Sequence, residues 1–117
     1  MGLFQWLNTA CAGARQPAVH IPEGPPTPRV RKACRFSGVV QGIGFRYEAR
    51  MLAGQLDLTG WVRNNSDGSV SAEVEGETAR VDEFLRAIRA VPRFRITQMQ
   101  VEDLPLSGAE RAFQVRY

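Results

Sequence analysis

The segment GVVQGIGFRYEAR, residues Gly38–Arg50, joins two sequence patterns of different periodicity. Residues Ala33 to Val40, which overlap the start of this segment, mix β-branched and aromatic side chains. This composition predicts a β-strand. From Phe45 onward, apolar residues recur at i, i+4, i+7 and i+11, the spacing of an amphipathic helix. Three glycines surround the junction, and they permit backbone dihedrals that other residues avoid. The segment therefore predicts a strand, a glycine-rich loop and a helix in direct succession.

The rest of the chain extends this beginning to a complete fold. The further elements are, in order, a strand TGWVRN (59–64), a turn NNSDG (64–68), an alternating strand SVSAEVE (69–75), a helix between Gly76 and Pro92, and the strands RITQMQVED (95–103) and AFQVRY (112–117). This order predicts an α+β protein with the ferredoxin-like split βαβ sandwich, β-α-β-β-α-β. In that fold one antiparallel sheet carries two helices on one face.

The first 32 residues differ from the rest in composition. They hold five of the seven prolines, a density that excludes regular helix and sheet and favours extended, solvated chain. A chain of 117 residues has room for one domain with one core. We therefore predict a flexible N-terminal extension over residues 1–32 and a single domain over residues 33–117.

The charge distribution argues against a nucleic-acid partner. The chain carries a formal net charge of +3, but from Cys34 onward eleven Arg balance eleven Asp and Glu. The excess therefore belongs to the extension, and the domain has no bulk charge that would attract nucleic acid. No apolar run reaches the length of a membrane span, so we expect no membrane partner. A secretory signal is not evident, and we expect a monomer in the cytoplasm.

The cysteines do not indicate a metal or a cofactor. Cys11 and Cys34 lie 23 residues apart with only His20 nearby, which matches no zinc spacing. We expect both to be reduced thiols, because disulfides are rare in the cytoplasm. The sequence therefore predicts neither a metal site nor a cofactor.

The glycine loop has the features of an anion site. A helix start presents unpaired backbone N–H groups and a partial positive charge, and glycines allow further amides to turn towards a ligand. Arg46, in the first turn of the helix, adds a planar guanidinium that binds phosphate through two hydrogen bonds. The loop lacks the spacing and the final Lys-Ser/Thr of a nucleotide-binding P-loop. We therefore predict a phosphoryl ligand without a nucleotide.

Asn64 is expected beside this loop. In a right-handed βαβ crossover the two strands point the same way, so their C-terminal ends meet at one edge. Asn64 ends the second strand, and its amide can both donate and accept hydrogen bonds. It could therefore hold a water molecule in line with a bound phosphorus atom.

Structural roles for the same residues remain open at this stage. The three glycines are also what an ordinary turn requires, Arg46 suits an exposed helix face, and Asn64 suits a turn. Glu48 and Asp67 could act as a base, although a helix-face charge and a turn residue are the roles we expect for them. We expect Trp61 to belong to the core.

The segments GVVQGIGFR and GWVRNNSDGSV, which place Asn64 eighteen residues after Arg46, resemble the two signature segments of the acylphosphatase family. The closing FQVRY is similar to that family's C-terminal strand, so the resemblance covers about residues 34–117. It implies metal-free hydrolysis of the carboxyl-phosphate bond of small-molecule acyl phosphates, with inorganic phosphate as a product. The extension is the main departure from the family pattern.

The resemblance also implies which residues would bind the acyl phosphate and orient the water. Arg46 would bind the phosphoryl group, and Asn64 would orient the attacking water. The remaining binding groups would be the amides of the phosphate-binding loop, namely Val39, Val40, Gln41, Gly42, Ile43 and Gly44.

Two alternatives belong to other functional classes. A non-catalytic module that binds phosphate or acyl phosphates would use the same loop, but it would have less need of Asn64. An RNA-binding sheet would require exposed aromatic and basic residues. Ser71 and Glu73 occupy such positions here, which argues against RNA.

Overall fold

The computed structural model of the chain describes residues 19–42 and 44–117. Its elements are, in chain order, β1 Arg29–Val39, α1 Phe45–Gln55, β2 Thr59–Asn64, β3 Val70–Glu77, α2 Thr78–Arg89, β4 Arg95–Leu104 and β5 Phe113–Arg116. The predictions for residues 1–18, which include Cys11, and for Ile43 lie outside the described residues. Within the described ranges, no helix combines the length and apolar character needed to cross a membrane.

Five strands of the described chain form one sheet in the order β4-β1-β3-β2-β5. The pairs β1–β3, β1–β4 and β2–β3 are antiparallel, whereas β2 and β5 run parallel. The predicted ferredoxin-like α+β fold is confirmed. Both C-terminal segments that were predicted as strands form separate strands, β4 and β5, so the described chain has one element more than the six of the β-α-β-β-α-β pattern. The additional strand, β5, lies at the sheet edge beside β2.

The pairing brings the ends of β1 and β2 to the same edge of the sheet. Strand β3 lies between them and is antiparallel to both, so β1 and β2 point in the same direction. The loop that follows β1 and the turn that follows β2 are therefore neighbours. This is the arrangement that the predicted βαβ crossover requires.

A chain of aromatic rings holds the start of α1 against the sheet. The ring centroid of Phe45 lies 5.1 Å from that of Phe36 on β1 and 4.8 Å from that of Phe94 before β4. All three side chains are buried. Burying an aromatic side chain of this size stabilises a fold by roughly 1.5–3 kcal/mol. The glycine loop is therefore anchored by core packing on both of its sides.

The open face of the sheet carries a buried ion-pair network around Arg31. Its guanidinium lies 2.7 Å from Glu73, 2.9 Å from Glu75 and 3.0 Å from Glu110, and its side chain is only 4% exposed. Burial raises the pKa of Glu75, but the Ser107 amide and the Arg31 guanidinium outweigh it and lower that pKa overall. The network fastens the loop that precedes β5 to strands β1 and β3.

The prediction that Trp61 belongs to the core is wrong. Its neighbour Val62 is fully buried, and successive strand residues point to opposite faces, so Trp61 lies on the open face. There its ring lies beneath two guanidinium groups, that of Arg63 at 5.2 Å and that of Arg116 at 4.9 Å. Cation–π contacts, rather than the core, surround this tryptophan.

Strand β1 begins at Arg29, four residues before the boundary that we predicted at residue 33. Its first residues pair with the end of β3, from Arg29 opposite Glu77 to Lys32 opposite Val74. Charged side chains conceal this part of the strand in the sequence, because Arg31 is buried by ion pairing and not by apolar packing.

The end of the predicted extension also contacts the domain. The His20 amide donates a hydrogen bond to Glu83 of α2 at 2.8 Å. The Thr27 hydroxyl accepts one from the Ala79 amide, at the start of α2, at 3.2 Å. Because the first amides of a helix lack partners within the helix, Thr27 serves as a cap supplied from outside α2.

Candidate active site

A cleft of about 220 Å³ opens where β1 and β2 end. Residues from the glycine loop, the first turns of α1 and the C-terminal ends of β2 and β5 surround it. They are Val40, Gly42, Gly44, Phe45, Arg46, Tyr47, Arg50, Asn64, Val115 and Tyr117. The structure therefore brings Arg46 and Asn64 to one cleft, as the sequence predicted.

The helix start provides the amide part of this cleft. Gly44 is the N-cap of α1 with φ of 85°, and the first helical hydrogen bond runs from the Glu48 amide to the Gly44 carbonyl. The amides of the first turn before Glu48 thus lack a partner within the helix. Together with the positive end of the helix dipole, they form a site suited to an anion.

Arg46 is oriented by the C-terminal end of the chain. Its Nη1 donates to the Arg116 carbonyl at 3.4 Å, and its guanidinium carbon lies 4.7 Å from the centre of the Tyr117 ring. Within the described residues, no ion pair with a carboxylate neutralises Arg46. Its charge is therefore held in the cleft and remains available to an anionic ligand.

Asn64 carries an unsatisfied oxygen at the cleft. Its Oδ1 is buried, and it is the one such side-chain polar atom of the described residues without a hydrogen-bond partner in the protein. A buried carbonyl oxygen left unpaired costs roughly 1–3 kcal/mol, so it is expected to accept a hydrogen bond from a bound molecule. Asn64 Oδ1, the atom that would accept a hydrogen bond from the attacking water, therefore has no partner in the protein.

Gln41 connects the glycine loop to the turn between β2 and β3. Its side-chain amide donates to the Asn65 carbonyl at 2.7 Å and to the Ser69 carbonyl at 2.8 Å. Asp67 organises the same turn by accepting from the hydroxyl and amide of Ser69, which lower the pKa of Asp67. The expected turn role of Asp67 is confirmed by these contacts. The Gln41 side chain points to protein, so only its backbone is left for a ligand.

The predicted loop residues do not all face the cleft. Val40, Gly42 and Gly44 line it, whereas Val39 is 55% exposed and pairs with Arg95 in the sheet. Ile43 lies outside the described residues.

We expected Glu48 to be a charge on the helix face, and the structure shows instead that it is buried. Its side chain is buried and forms an ion pair with Arg93 at 3.0 Å. Arg93 also lies next to Gly44, where an added Cβ atom would come within 3.4 Å of its Nη2. The ion pair therefore connects the start of α1 to the turn before β4, and Glu48 has a structural role.

Sequence reasoning missed Arg50, Tyr47 and Tyr117 as cleft residues. Arg50 follows Arg46 by four residues, and this helical spacing could have identified it. Tyr117 reaches the cleft because β5 runs parallel to β2, a pairing that the sequence did not indicate.

Other features of the described chain offer no competing site. Within residues 19–42 and 44–117, no group of three or more His, Cys, Asp or Glu side chains could hold a metal ion. A depression of about 520 Å³ on the open face lies beside Trp61 and Arg63 and contains none of the predicted site residues. Cys34 is free and buried, and burial raises the pKa of its thiol to about 12, so the thiol is unreactive at neutral pH.

Comparisons with known proteins point to one family. A sequence model of the acylphosphatase family matches residues 32–115. The chain is 43% identical over 100 residues to the acylphosphatase of Rubrobacter xylanophilus, covering 83% of this chain and 91% of that protein. It is also 43% identical over 84 residues to that of Salinibacter ruber, covering 72% and 86% of the two chains.

Solved structures show the same likeness. The crystal structure of acylphosphatase from Bacillus subtilis superimposes with a TM-score of 0.71 at 30% identity, covering 75% of this chain and 99% of that one. Full-length HypF superimposes with a TM-score of 0.72 at 30% identity, but the match covers 81% of this chain and 13% of HypF.

Proposed function

The chain belongs to the acylphosphatase family, and we propose that Arg46, the loop amides and Asn64 perform the hydrolysis for which that family is named. It is an enzyme that cleaves the carboxyl-phosphate bond of acyl phosphates, giving a carboxylate and inorganic phosphate. The single observation that carries the residue assignment is the unpartnered Asn64 Oδ1 in the cleft that also holds Arg46.

Arg46 and the amides would hold the phosphoryl group. Phosphoryl transfer requires mainly positioning of the reactants and stabilisation of charge on the oxygens. The Arg46 guanidinium and the helix start both supply positive charge at the cleft. We include the amides of Val40, Gln41, Gly42, Ile43 and Gly44 in this proposal, with those nearest the helix start best placed, and we leave out Val39, which pairs with Arg95 in the sheet.

Asn64 would orient the attacking water. The water donates one O–H to Asn64 Oδ1 and attacks phosphorus, the bond between phosphorus and the acyl oxygen breaks, and the carboxylate leaves with the bonding electrons. The water proton passes to a phosphate oxygen of the substrate, so no protein base is needed. A carboxylate is a good leaving group, which explains why the cleft needs no strong general acid.

The lining residues suit chemistry without a metal or cofactor. The lining includes Arg46 and Arg50 but no Asp, Glu, His or Cys, the side chains that usually hold metal ions. We also propose that the enzyme is a monomer in the cytoplasm, where a free thiol such as Cys34 stays reduced. Size-exclusion chromatography with light scattering would measure the oligomeric state.

The residue assignment is tested by hydrolysis of benzoyl phosphate in excess EDTA. We expect Asn64→Ala to lower kcat by on the order of 10² or more, because it removes the water acceptor. The inhibition constant for inorganic phosphate should stay close to the wild-type value. We expect Arg46→Ala to abolish both turnover and phosphate binding, and Arg46→Lys to recover only part of each, because lysine lacks the guanidinium fork.

Arg111→Ala is the matched control. Arg111 is exposed and precedes β5, at the end of that strand opposite to the cleft, so its removal should leave the kinetics unchanged. If phosphate affinity collapsed in Asn64→Ala as well, Asn64 would be a binding residue and the assignment to water would be wrong. A wild-type chain that bound phosphate without turnover would instead be a phosphate-binding module.

A further inference from the structure

We propose that Arg50 binds a second negative charge on the acyl group, so that the enzyme prefers acyl phosphates whose acyl chain ends in a carboxylate. This inference rests on the proposed function, because it assumes that the phosphoryl group is held by Arg46 and the loop. It concerns the part of the cleft that the phosphoryl group leaves unoccupied.

Arg50 lies one helical turn beyond Arg46 in α1. Residues four apart lie on the same helix face, with Cβ atoms about 6 Å apart. Both line the cleft, but Arg50 is exposed, whereas Arg46 is half-buried at the helix start. The cleft thus extends from the first-turn amides along α1 to a second cation at its exposed end.

The charge of Arg50 is not neutralised by the protein. No ion pair joins it to any carboxylate of residues 19–42 or 44–117. Residues 1–18 and Ile43 contain no Asp or Glu, so an acidic partner cannot come from those residues either. The one acidic residue of α1, Glu48, is buried and paired with Arg93.

Tyr47 gives Arg50 a defined place at the cleft. The Arg50 guanidinium carbon lies 5.9 Å from the centre of the Tyr47 ring, which is itself a cleft residue and 56% exposed. Arg86 on α2 provides a contrast, because it pairs with Glu83 at 2.6 Å on its own helix. An arginine that faces a ligand cleft without an acidic neighbour is suited to an anionic ligand group.

The helical spacing of Arg46 and Arg50 favours the acyl group as that ligand. Four residues of helix rise by about 6 Å, so the Arg50 side chain starts one turn farther from the first-turn amides than the Arg46 side chain does. A displacement of about 6 Å is comparable with the length of an acyl chain of a few carbons. A substrate bound with phosphate at the helix start would therefore bring a terminal carboxylate near Arg50.

The test compares succinyl phosphate with butyryl phosphate, which have four-carbon acyl chains and differ by the terminal carboxylate. The measured quantity is the ratio of kcat/KM for succinyl phosphate to kcat/KM for butyryl phosphate at fixed ionic strength. In Arg50→Gln we expect this ratio to fall by roughly two- to fivefold, the upper part of the range measured for exposed ion pairs. Arg50→Lys should retain most of the ratio, because it keeps the charge.

Arg111→Gln is the control for a loss of one positive charge elsewhere, and it should leave the ratio unchanged. An unchanged ratio in Arg50→Gln would overturn the inference, whether both substrates lost activity equally or neither did. An equal loss, with weaker inhibition by inorganic phosphate, would assign Arg50 to the phosphoryl group. If the wild-type chain hydrolysed neither substrate, the proposed function would fail as well, and this result is distinct from the others.

Discussion

Gly38 and Gly42 belong to the same glycine-rich segment but have different surroundings. A Cβ atom on Gly38 would lie 1.9 Å from the Arg95 carbonyl oxygen and 2.8 Å from the Thr97 amide nitrogen. Gly38 also lies where the register between β1 and β4 shifts. A Cβ atom on Gly42 would meet no atom within 4 Å. One glycine is therefore required by the sheet and the other by the conformation of the loop.

We expect Gly38→Ala to destabilise the protein by roughly 3 kcal/mol or more, because the backbone of β4 must move. Gly42→Ala should cost only about 1–2 kcal/mol, the strain of a left-handed residue with φ of 74°. Urea unfolding of both variants would measure the two free energies. Equal losses would show that free space at the Cβ position does not govern these sites.

At the scale of elements, the site depends on the connection between the loop after β1 and the turn after β2. Gln41 makes this connection through two carbonyl oxygens, those of Asn65 and Ser69. Asn65 in turn donates to the hydroxyl groups of Ser69 and Ser71 at 2.9 Å and 2.8 Å. Because Asn64 directly precedes this turn, we expect Gln41 to position both sides of the cleft.

We expect Gln41→Met to lower kcat/KM for benzoyl phosphate by about tenfold, because the loop and Asn64 would lose their common support. Methionine keeps the length of the side chain but cannot donate the two hydrogen bonds, whose loss should cost roughly 1–3 kcal/mol of stability. Gln55→Met, at the exposed end of α1, is the matched control.

Kinetics and unfolding separate the two roles that Gln41 could have. A positioning role predicts that kcat and the inhibition constant for phosphate both change in the folded variant at low temperature. Reduced stability with unchanged kinetics would show that Gln41 serves only the fold.

At the scale of the whole molecule, contacts far apart in sequence place the chain's last residues at the cleft. The Arg31 network holds Glu110, which also pairs with Arg116 at 3.6 Å. Arg116 offers its carbonyl to Arg46, and Tyr117 lies against the same guanidinium. The buried ion pairs on the open face thus support the arginine on which phosphate binding is proposed to depend.

The end of the N-terminal extension contacts the start of α2 through Thr27 and Pro28. Deleting residues 1–28 removes the Thr27 cap of α2 and the Pro28 carbonyl that accepts from the Thr78 amide at 2.8 Å. We expect this deletion to cost roughly 1–3 kcal/mol more than deleting residues 1–18, and to lower Tm by at least about 4 °C relative to it. Differential scanning calorimetry of the two truncations would measure the difference. Equal melting temperatures would mean that residues 19–28 are a passive linker, as the sequence alone suggested.

The sequence alone was sufficient for features that depend on one element or on two adjacent ones. Periodicity predicted α1 from Phe45, and the direction rule for βαβ units predicted that Asn64 would lie near Arg46. The motifs indicated the family and its chemistry, because they combine residue type with fixed spacing. These predictions succeeded because the information is local in the chain or follows from a general rule of handedness.

Only the tertiary structure decided which distant residues meet these elements. Gln41 finds its partner Asn65 24 residues away, and Arg46 finds Arg116 70 residues away. Periodicity reports on which face of its own element a residue lies, but not which other element covers that face. For this reason the face of Trp61, the pairing of Glu48 and the presence of Tyr117 at the cleft became visible only once the sheet order and packing were known.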